Sequence, residues 1–360
     1  MSRERALAAI NLKKTDRIPN FDGITIHPEF IQKVSGLNLR EHWEEAVIRC
    51  IKILDVDVIG AGVPSYGRTQ EKSDKLVEGK RVIHKKGKAY TKMGAGESEW
   101  TVDFASRFPS VKSVLEYDPF SCNEKSVDEL ALNYRIQHEE DQAFYGRHAL
   151  ASQGIYKSLF MWPVMTFGWE MFLLTAAQEP EEFGKVMERF AKVSMKYFQA
   201  WARVDNLHIF SSHDDLAMTR GPVLHPEWYR KYIFPFYPKL WMSLKEKGVK
   251  IIFRADGNMD EFIDDIAACG ADGFCIRKET NIAKIAKKYG DSKIIIGNID
   301  TRALSFGSKE EIEEEVKRCV AQVGDCPGYF FQASGDIPHN VPLQNVETYF
   351  AACKEYGKRN

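Results

Sequence analysis

The sequence predicts an α/β fold, a (β/α)8 TIM barrel with a parallel sheet and a hairpin insertion after the second strand. Short apolar runs alternate with longer amphipathic runs, especially after residue 200. This alternation is typical of parallel strands joined by crossover helices. One polar, glycine-rich segment, residues 66–125, interrupts the pattern. We expect a single domain over residues 1–360.

The predicted strands are short runs of mainly apolar residues separated by the spacing of a crossover helix. Seven have clear limits, and an eighth is expected within residues His148–Trp162. The seven are Arg17–Phe21, Val56–Ala61, His208–Ser212, Lys250–Phe253, Gly273–Ile276, Lys293–Ile296 and Tyr329–Gln332.

Proline, serine and glycine mark the ends of the predicted helices. Pro226 suits a first helical turn, where its missing N–H costs nothing, and Gly248 suits the end. Pro235 and Pro238 should kink or divide the helix between them. Ser308 can cap a helix that ends near Gly324, with Glu310 and Glu311 in its first turn, and residues 342–358 read as a last helix.

The segment 66–125 is predicted to be an insertion after the second strand. Its stretch GKRVIHKKGKAYTKM reads as a hairpin with Gly87 in the turn. We expect it to cover part of the barrel mouth; a ribbon on the surface is the alternative.

Composition excludes several partners. The 50 basic and 51 acidic residues leave a net charge of −1, which gives no reason to expect nucleic acid or an anionic membrane surface. Residues 1–19 lack the apolar core of a secretory signal, and no apolar run approaches the ~20 residues of a membrane span. Seven cysteines without a CxxC pair indicate reduced thiols in a cytoplasmic protein.

Polar residues follow five of the predicted strands, where active sites of such barrels lie. Each has a structural alternative: Asp214, Asp215 and Asp300 could cap helices, residues 256–258 could be only a turn, Arg277 could pair with Glu279, and His208 and Cys275 could be core residues. No nucleotide-binding, serine-hydrolase or HExxH motif competes. The strand-end residues are His213, Asp214, Asp215, Arg254, Asp256, Asn258, Arg277, Glu279, Asn298, Asp300, Ser334, Asp336 and His339.

Several motifs from residue 206 onward resemble the uroporphyrinogen decarboxylase superfamily. In SSHDDLAMTRGPVLHPEWYRKYIFPFYPKLWMSLKEKGVKIIFRADGN they are Asp214-Asp215, Gly221-Pro222, Pro226-Glu227, Pro235 and Gly257-Asn258. A Gly-x-Asp-Gly strand, a Gly-Asn-Ile-Asp strand end and the closing GDIPHN segment follow, and DRIP at residues 16–19 is similar to the family's opening outside the haem pathway. The resemblance implies the barrel fold.

Two departures from known motifs of the family indicate which of its branches the chain resembles. The haem-pathway decarboxylase has an arginine-rich N-terminal segment for a substrate with many carboxylates, whereas Arg17 stands alone here. The coenzyme M methyltransferases bind zinc through His-x-Cys and a later cysteine, and the matching residues here are Arg254, Asp256 and the segment Ser334-Gly335-Asp336. The substrate-side methyltransferases, including aryl methyl ether demethylases, resemble the chain better.

This resemblance implies transfer of a methyl group from a small methylated donor, such as an aryl methyl ether, to a corrinoid-binding partner protein that carries the cobalamin. Zinc held by His213, Asp256 and Glu279 could assist the leaving oxygen, or Asp336 or His339 could donate a proton. A carboxy-lyase of the uroporphyrinogen decarboxylase type and a non-catalytic member that binds a ligand or corrinoid protein are the alternatives. The predicted catalytic residues are Asp256, His213, Asp214, Glu279, Asp336 and His339; the predicted substrate-binding residues are Arg254, Arg277, Asn298 and Trp162, with Phe167, Trp169 and Phe172 as further aromatic candidates or core residues.

Overall fold

The computed structural model describes residues 2–22, 27–60, 108–156, 158–323, 325–334, 337 and 341–359, and the backbone of strands at 83–85, 88–93 and 96–99. Asp336 and His339, together with Gly87 and Gly324, lie outside the described residues. In chain order the strands are β1 (Val58–Ile59), β2 (Ile83–Lys85), β3 (Lys88–Met93), β4 (Gly96–Glu99), β5 (Leu150–Ala151), β6 (Gln153–Tyr156), β7 (Ile209–His213), β8 (Ala217–Met218), β9 (Gly221–Pro222), β10 (Lys250–Arg254), β11 (Gly273–Cys275), β12 (Ile294–Ile296) and β13 (Tyr329–Phe330).

The parallel strands form a ring. Strands β6, β7, β10, β11, β12 and β13 lie side by side in that order, and β1 pairs with β5, which precedes β6 directly in the chain. The residues of the first predicted strand complete the circle, because Phe21 bridges Val58 and Asn20 bridges Phe331, both in parallel. Hydrogen bonds from Phe21 N to Phe331 O (2.8 Å) and from Val58 N to Asn20 O (3.1 Å) hold this seam. The predicted α/β fold with a parallel sheet of the TIM-barrel type is therefore confirmed, although the first predicted strand, Arg17–Phe21, pairs only through isolated bridges.

Helices fill the connections between the strands of the ring. Among the described residues, none is both long enough and apolar enough to cross a membrane. They are α1 (Ser2–Ile10), α2 (Pro28–Ser35), α3 (Leu39–Leu54), α4 (Val111–Leu115), α5 (Val127–Tyr145), α6 (Met161–Phe167), α7 (Trp169–Gln178), α8 (Pro180–Trp201), α9 (Pro226–Tyr232), α10 (Tyr237–Lys245), α11 (Ile263–Ala268), α12 (Ile282–Tyr289), α13 (Thr301–Phe306), α14 (Lys309–Val323) and α15 (Leu343–Tyr356).

The helix ends follow the predicted chemistry. Pro226 opens α9, the residues around Pro235 form a short 3-10 helix, and α10 resumes beyond it. A capping box opens α14: the Glu311 N–H donates to Ser308 Oγ at 3.2 Å, and the Ser308 N–H donates to a Glu311 carboxylate oxygen at 2.7 Å. Satisfying these otherwise unpaired N–H groups fixes where α14 begins.

Strands β2, β3 and β4 form an antiparallel sheet that lies in sequence between β1 and β5. The predicted hairpin after the second barrel strand is therefore confirmed. Its coverage of the barrel mouth, the full limits 66–125 and the single-domain organisation stay predictions.

Helix α1 packs against the interior of the ring. Its Ala6, Ala9 and Ile10 are buried in one cluster with inward residues of the barrel strands, such as Ile209 and Ile294 at the start of β7 and β12. Because these strand residues lie at the amino ends, α1 occupies the end of the barrel opposite the predicted site.

Ion pairs stabilise the same end of the barrel, where α1 lies. Arg17, from the DRIP motif, contacts Asp55 (2.8 Å) and Asp57 (2.9 Å), and Arg5 of α1 reaches Asp57 at 2.6 Å. Asp57 is fully buried and also accepts a hydrogen bond from the Asn20 N–H at 2.8 Å. Arg17 thus joins the first strand segment to β1 at the end of the barrel opposite the carboxyl ends of the strands.

Replacing Arg17 with Ala should destabilise the fold by about 3 kcal/mol, because removing one partner leaves a buried carboxylate incompletely compensated. Urea unfolding followed by circular dichroism measures this. Arg203→Ala is the matched control, since its ion pair with Asp128 is exposed and should contribute no more than about 1 kcal/mol. Equal losses in the two variants would contradict a structural role for the DRIP arginine.

A candidate active site at the carboxyl end of the barrel

Three neighbouring strands present polar side chains at the same level of the ring. Tyr156 of β6 is in register with His213 of β7, which is in register with Arg254 of β10. Paired residues of parallel strands place their side chains on the same face of a sheet. Arg254 in turn pairs with Cys275, a member of the interior cluster, so this row belongs to the barrel interior.

His213, Asp215 and Asp256 form a compact cluster just beyond the row. One potential ligand atom from each lies within 4.8 Å of the other two. His213 Nε2 is 3.0 Å from Asp215 Oδ1, and the Asp256 N–H donates to the same oxygen at 2.8 Å. The carboxyl ends of β7 and β10 therefore converge as the sequence predicted, with Asp215 as the third member.

Asp215 is held as an anion at the centre of this cluster. Burial opposes its ionisation, but the hydrogen bond and charge of His213, the Asp256 N–H and the Tyr156 hydroxyl outweigh burial and lower the pKa of Asp215. The Tyr156 hydroxyl donates to Asp215 Oδ2 at 3.2 Å, and its ring meets the His213 imidazole edge-on at 4.6 Å. The side chain of Asp215 has little freedom to move away.

Asp256 has a different environment. Its Oδ1 accepts a hydrogen bond from Arg277 Nε at 2.5 Å, and its side chain is 39% exposed against 20% for Asp215. The turn that carries it needs glycine at position 257, where φ is +78° and an added Cβ would lie 2.3 Å from the Ala217 carbonyl oxygen. The close approach of β8 therefore positions the Asp256 loop.

The cluster has two chemical capacities. One imidazole nitrogen and two carboxylate oxygens are donors suited to zinc and similar divalent cations. Without a cation, the carboxylate of Asp215 would orient the His213 imidazole, which is the arrangement of a general acid or base.

Asp214 is not part of this cluster, and its catalytic role stays a prediction. Its carboxylate is completely buried and accepts hydrogen bonds from the Leu159 N–H (2.8 Å), the Met161 N–H (2.9 Å), Ser158 Oγ (2.8 Å) and the Tyr237 hydroxyl (3.0 Å). Burial raises the pKa of Asp214 although these donors oppose the change. The residue fastens the loop between β6 and α6 to the end of β7.

Two of the predicted substrate-binding residues, Asn298 and Trp162, hydrogen-bond to or pack against other residues of the fold. Asn298 is buried; its amide donates to the Thr280 carbonyl at 2.9 Å and its side-chain oxygen accepts from Arg318 at 3.1 Å. Trp162 packs against Phe190 and Tyr197 of α8, among the outer helices. Core packing, the alternative reading of the aromatic residues, also describes Phe167 and Phe172, which are fully buried.

Glu279 does not join His213 and Asp256; the third side chain within reach of both is Asp215. Asp300 accepts a hydrogen bond from the Arg302 N–H at 2.9 Å and caps α13, as its alternative reading proposed. Cys275 is buried with its thiol 2.9 Å from Gln332 Oε1.

Sequence reasoning missed Tyr156 and left Asp215 out of the predicted ligands. Tyr156 is the last residue of β6, so a sharper limit for the strand within 148–162 would have placed it at the mouth. Asp215 and Asp214 are adjacent and chemically identical, and only the direction of each side chain distinguishes them.

Residues 164–356 match the family described as uroporphyrinogen decarboxylase (URO-D). The uroporphyrinogen decarboxylase of Geotalea uraniireducens is 30% identical over 169 residues, covering 46% of this chain and 47% of that protein. That of Carboxydothermus hydrogenoformans is 27% identical over 172 residues, covering 47% of each. The chain spans about half the length of the curated relatives it matches. A methyltransferase from Methanosarcina mazei shares the fold, with a TM-score of 0.64 and 16% identity over 99% of this chain and 98% of that one.

Asp214→Asn should lower stability by about 2–3 kcal/mol, because either orientation of the new amide would turn its NH2 toward a backbone N–H, of Leu159 or of Met161, that can only donate. Thermal unfolding measures the loss. Asp264→Asn is a suitable control, since that carboxylate is 65% exposed in its pair with Lys288. An Asp214→Asn protein of unchanged stability that had lost activity would support the catalytic assignment.

Proposed function

Because the chain belongs to the uroporphyrinogen decarboxylase family, we propose that its barrel mouth transfers a methyl group from a small methylated donor to a corrinoid-binding protein. Members of this family are enzymes, either decarboxylases or methyltransferases. The observation that carries the proposal is the His213–Asp215–Asp256 cluster at the carboxyl end of the ring. An aryl methyl ether is the donor class that we favour.

The charge of the mouth favours methyl transfer over decarboxylation of a porphyrinogen. A substrate rich in carboxylates needs several free cations, because each unpaired buried carboxylate is costly. Here two carboxylates, Asp215 and Asp256, line the cluster, and Arg277 already pairs with Asp256. Arg17 lies at the opposite end of the barrel with Asp55 and Asp57.

The cluster also suits the bond that must break. When a methyl group leaves an aryl methyl ether, the carbon–oxygen bond breaks and the oxygen retains the electron pair. A proton donor or positive charge beside that oxygen lowers the barrier. In this proposal His213 would donate such a proton, with Asp215 orienting its ring at 3.0 Å.

Zinc fits the donor set of the cluster. His213, Asp215 and Asp256 would hold it through one nitrogen and two oxygens, and a bound zinc ion would act as a Lewis acid toward the leaving oxygen. Activation of a thiol acceptor has less support, because Arg254, Asp256 and the segment Ser334-Gly335-Asp336 stand where the coenzyme M methyltransferases have their zinc-binding His-x-Cys and later cysteine. A corrinoid carried by the partner protein is therefore the acceptor that we favour.

Other residues of the mouth suit a flat, charged donor. Tyr156 is 45% exposed and offers a ring surface beside His213. Arg254, in the same row, could orient an anionic substituent on the ring. All seven cysteines are free thiols, which agrees with our proposal of a cytoplasmic site of action.

The proposed reaction is tested with purified protein, free cob(I)alamin and an aryl methyl ether, by following the absorbance of methylcobalamin. We expect methyl transfer, because the proposed site would assist departure of the oxygen. Release of carbon dioxide from uroporphyrinogen without methyl transfer would instead establish the decarboxylase. Donor binding without either reaction would identify a non-catalytic member.

Asp256→Ala should reduce methyl transfer by about 100-fold or more while leaving the protein folded, because the residue lies on a turn at the cluster with its side chain 39% exposed. We expect elemental analysis to find at most one zinc ion in the wild type. Asp215→Ala should lose it and Glu279→Ala should keep it. Near-normal turnover in Asp256→Ala would refute the site assignment, whereas active wild-type enzyme without metal would assign the assistance to proton transfer by His213.

A further inference from the structure

We infer that Arg277 and a divalent cation compete for the carboxylate of Asp256, and that a small ligand bearing a carboxylate relieves this competition by drawing the guanidinium away. Cation and anion would then bind cooperatively at the mouth. The inference rests on the cation site of the proposed function and is independent of the methyl-transfer step itself.

The first basis is that the carboxylates of Asp215 and Asp256 have different hydrogen-bond partners. Asp215 is fixed by His213, by the Asp256 N–H and by the Tyr156 hydroxyl, so its oxygens are already oriented. Asp256 is more exposed, and its Oδ1 carries the hydrogen bond from Arg277 Nε. Asp256 is therefore the member of the cluster whose availability depends on an exchangeable partner.

The second basis is charge. A cation bound to His213, Asp215 and Asp256 would lie close to the Arg277 guanidinium, since both would contact the same carboxylate. Two positive charges a few ångströms apart repel each other even where water partly screens them. In the absence of an anionic ligand, cation binding must therefore either displace Arg277 or occur against this repulsion.

The third basis is the chemistry of the guanidinium. Arginine has a planar fork of donors that matches a carboxylate through two parallel hydrogen bonds, so a carboxylate ligand can replace Asp256 as its partner. Arg277 is partly buried, with 16% of its side chain exposed, which makes loss of one partner without a replacement unfavourable. If the anion releases Asp256 for the cation, linkage requires that the cation equally strengthen anion binding.

The experiment is a zinc titration by calorimetry of the full chain, with and without saturating benzoate. Arg277→Gln should bind Zn²⁺ about tenfold more tightly than the wild type, because the competing charge is gone. Benzoate should strengthen zinc binding to the wild type and have no effect on Arg277→Gln. Arg302→Gln is the matched control: it removes the same charge from an ion pair with Asp300 at a neighbouring strand end and should behave as the wild type.

Equal or weaker zinc binding by Arg277→Gln would overturn the inference, as would an equal effect of benzoate on both proteins or no zinc binding by either. Circular dichroism of each variant confirms that it is folded. A wild-type protein that transferred methyl groups but failed this titration would leave the proposed reaction standing. A protein that showed the zinc coupling without methyl transfer would leave the inference standing.

Discussion

Everything at the mouth depends on closure of the parallel ring. The seam is short: residues 20 and 21 reach Phe331 on one side and Val58 on the other. A seam of so few backbone hydrogen bonds needs support from side chains, and the buried Asp57 supplies it by joining Arg5, Arg17 and the Asn20 N–H. The shared parallel direction of the strands then brings the carboxyl ends of β6, β7 and β10 together, although their residues are far apart in sequence.

Much of the fold could be predicted because local patterns and the final structure agree. Proline at the start of α9, the interruption at Pro235 and the Ser308–Glu311 capping box act over a few residues, so the sequence contains the whole cause. The strands could also be predicted from the sequence, because buried parallel strands are continuous apolar runs. Strand order and closure required the additional assumption of a barrel, which the resemblance supplied.

The site was less predictable because its members are distinguished by tertiary contacts. Asp214 and Asp215 are adjacent carboxylates, yet one is fully buried among Leu159, Met161, Ser158 and Tyr237 while the other lies beside His213. Asn298 follows a strand, as a ligand-binding residue would, but Thr280 and Arg318 occupy its polar atoms. Position after a strand indicates the correct end of the barrel, whereas the direction of a side chain depends on partners far away in the chain.

The alternation of Asp214 and Asp215 also constrains the length of this part of the chain. Inserting or deleting one residue after β7 would shift the two positions, so that neither carboxylate would keep its present partners. Evolution can therefore lengthen the β8–β9 hairpin a few residues farther on more readily than it can alter the junction itself. Homologous chains should accumulate gaps in the former and keep the latter at a constant number of residues.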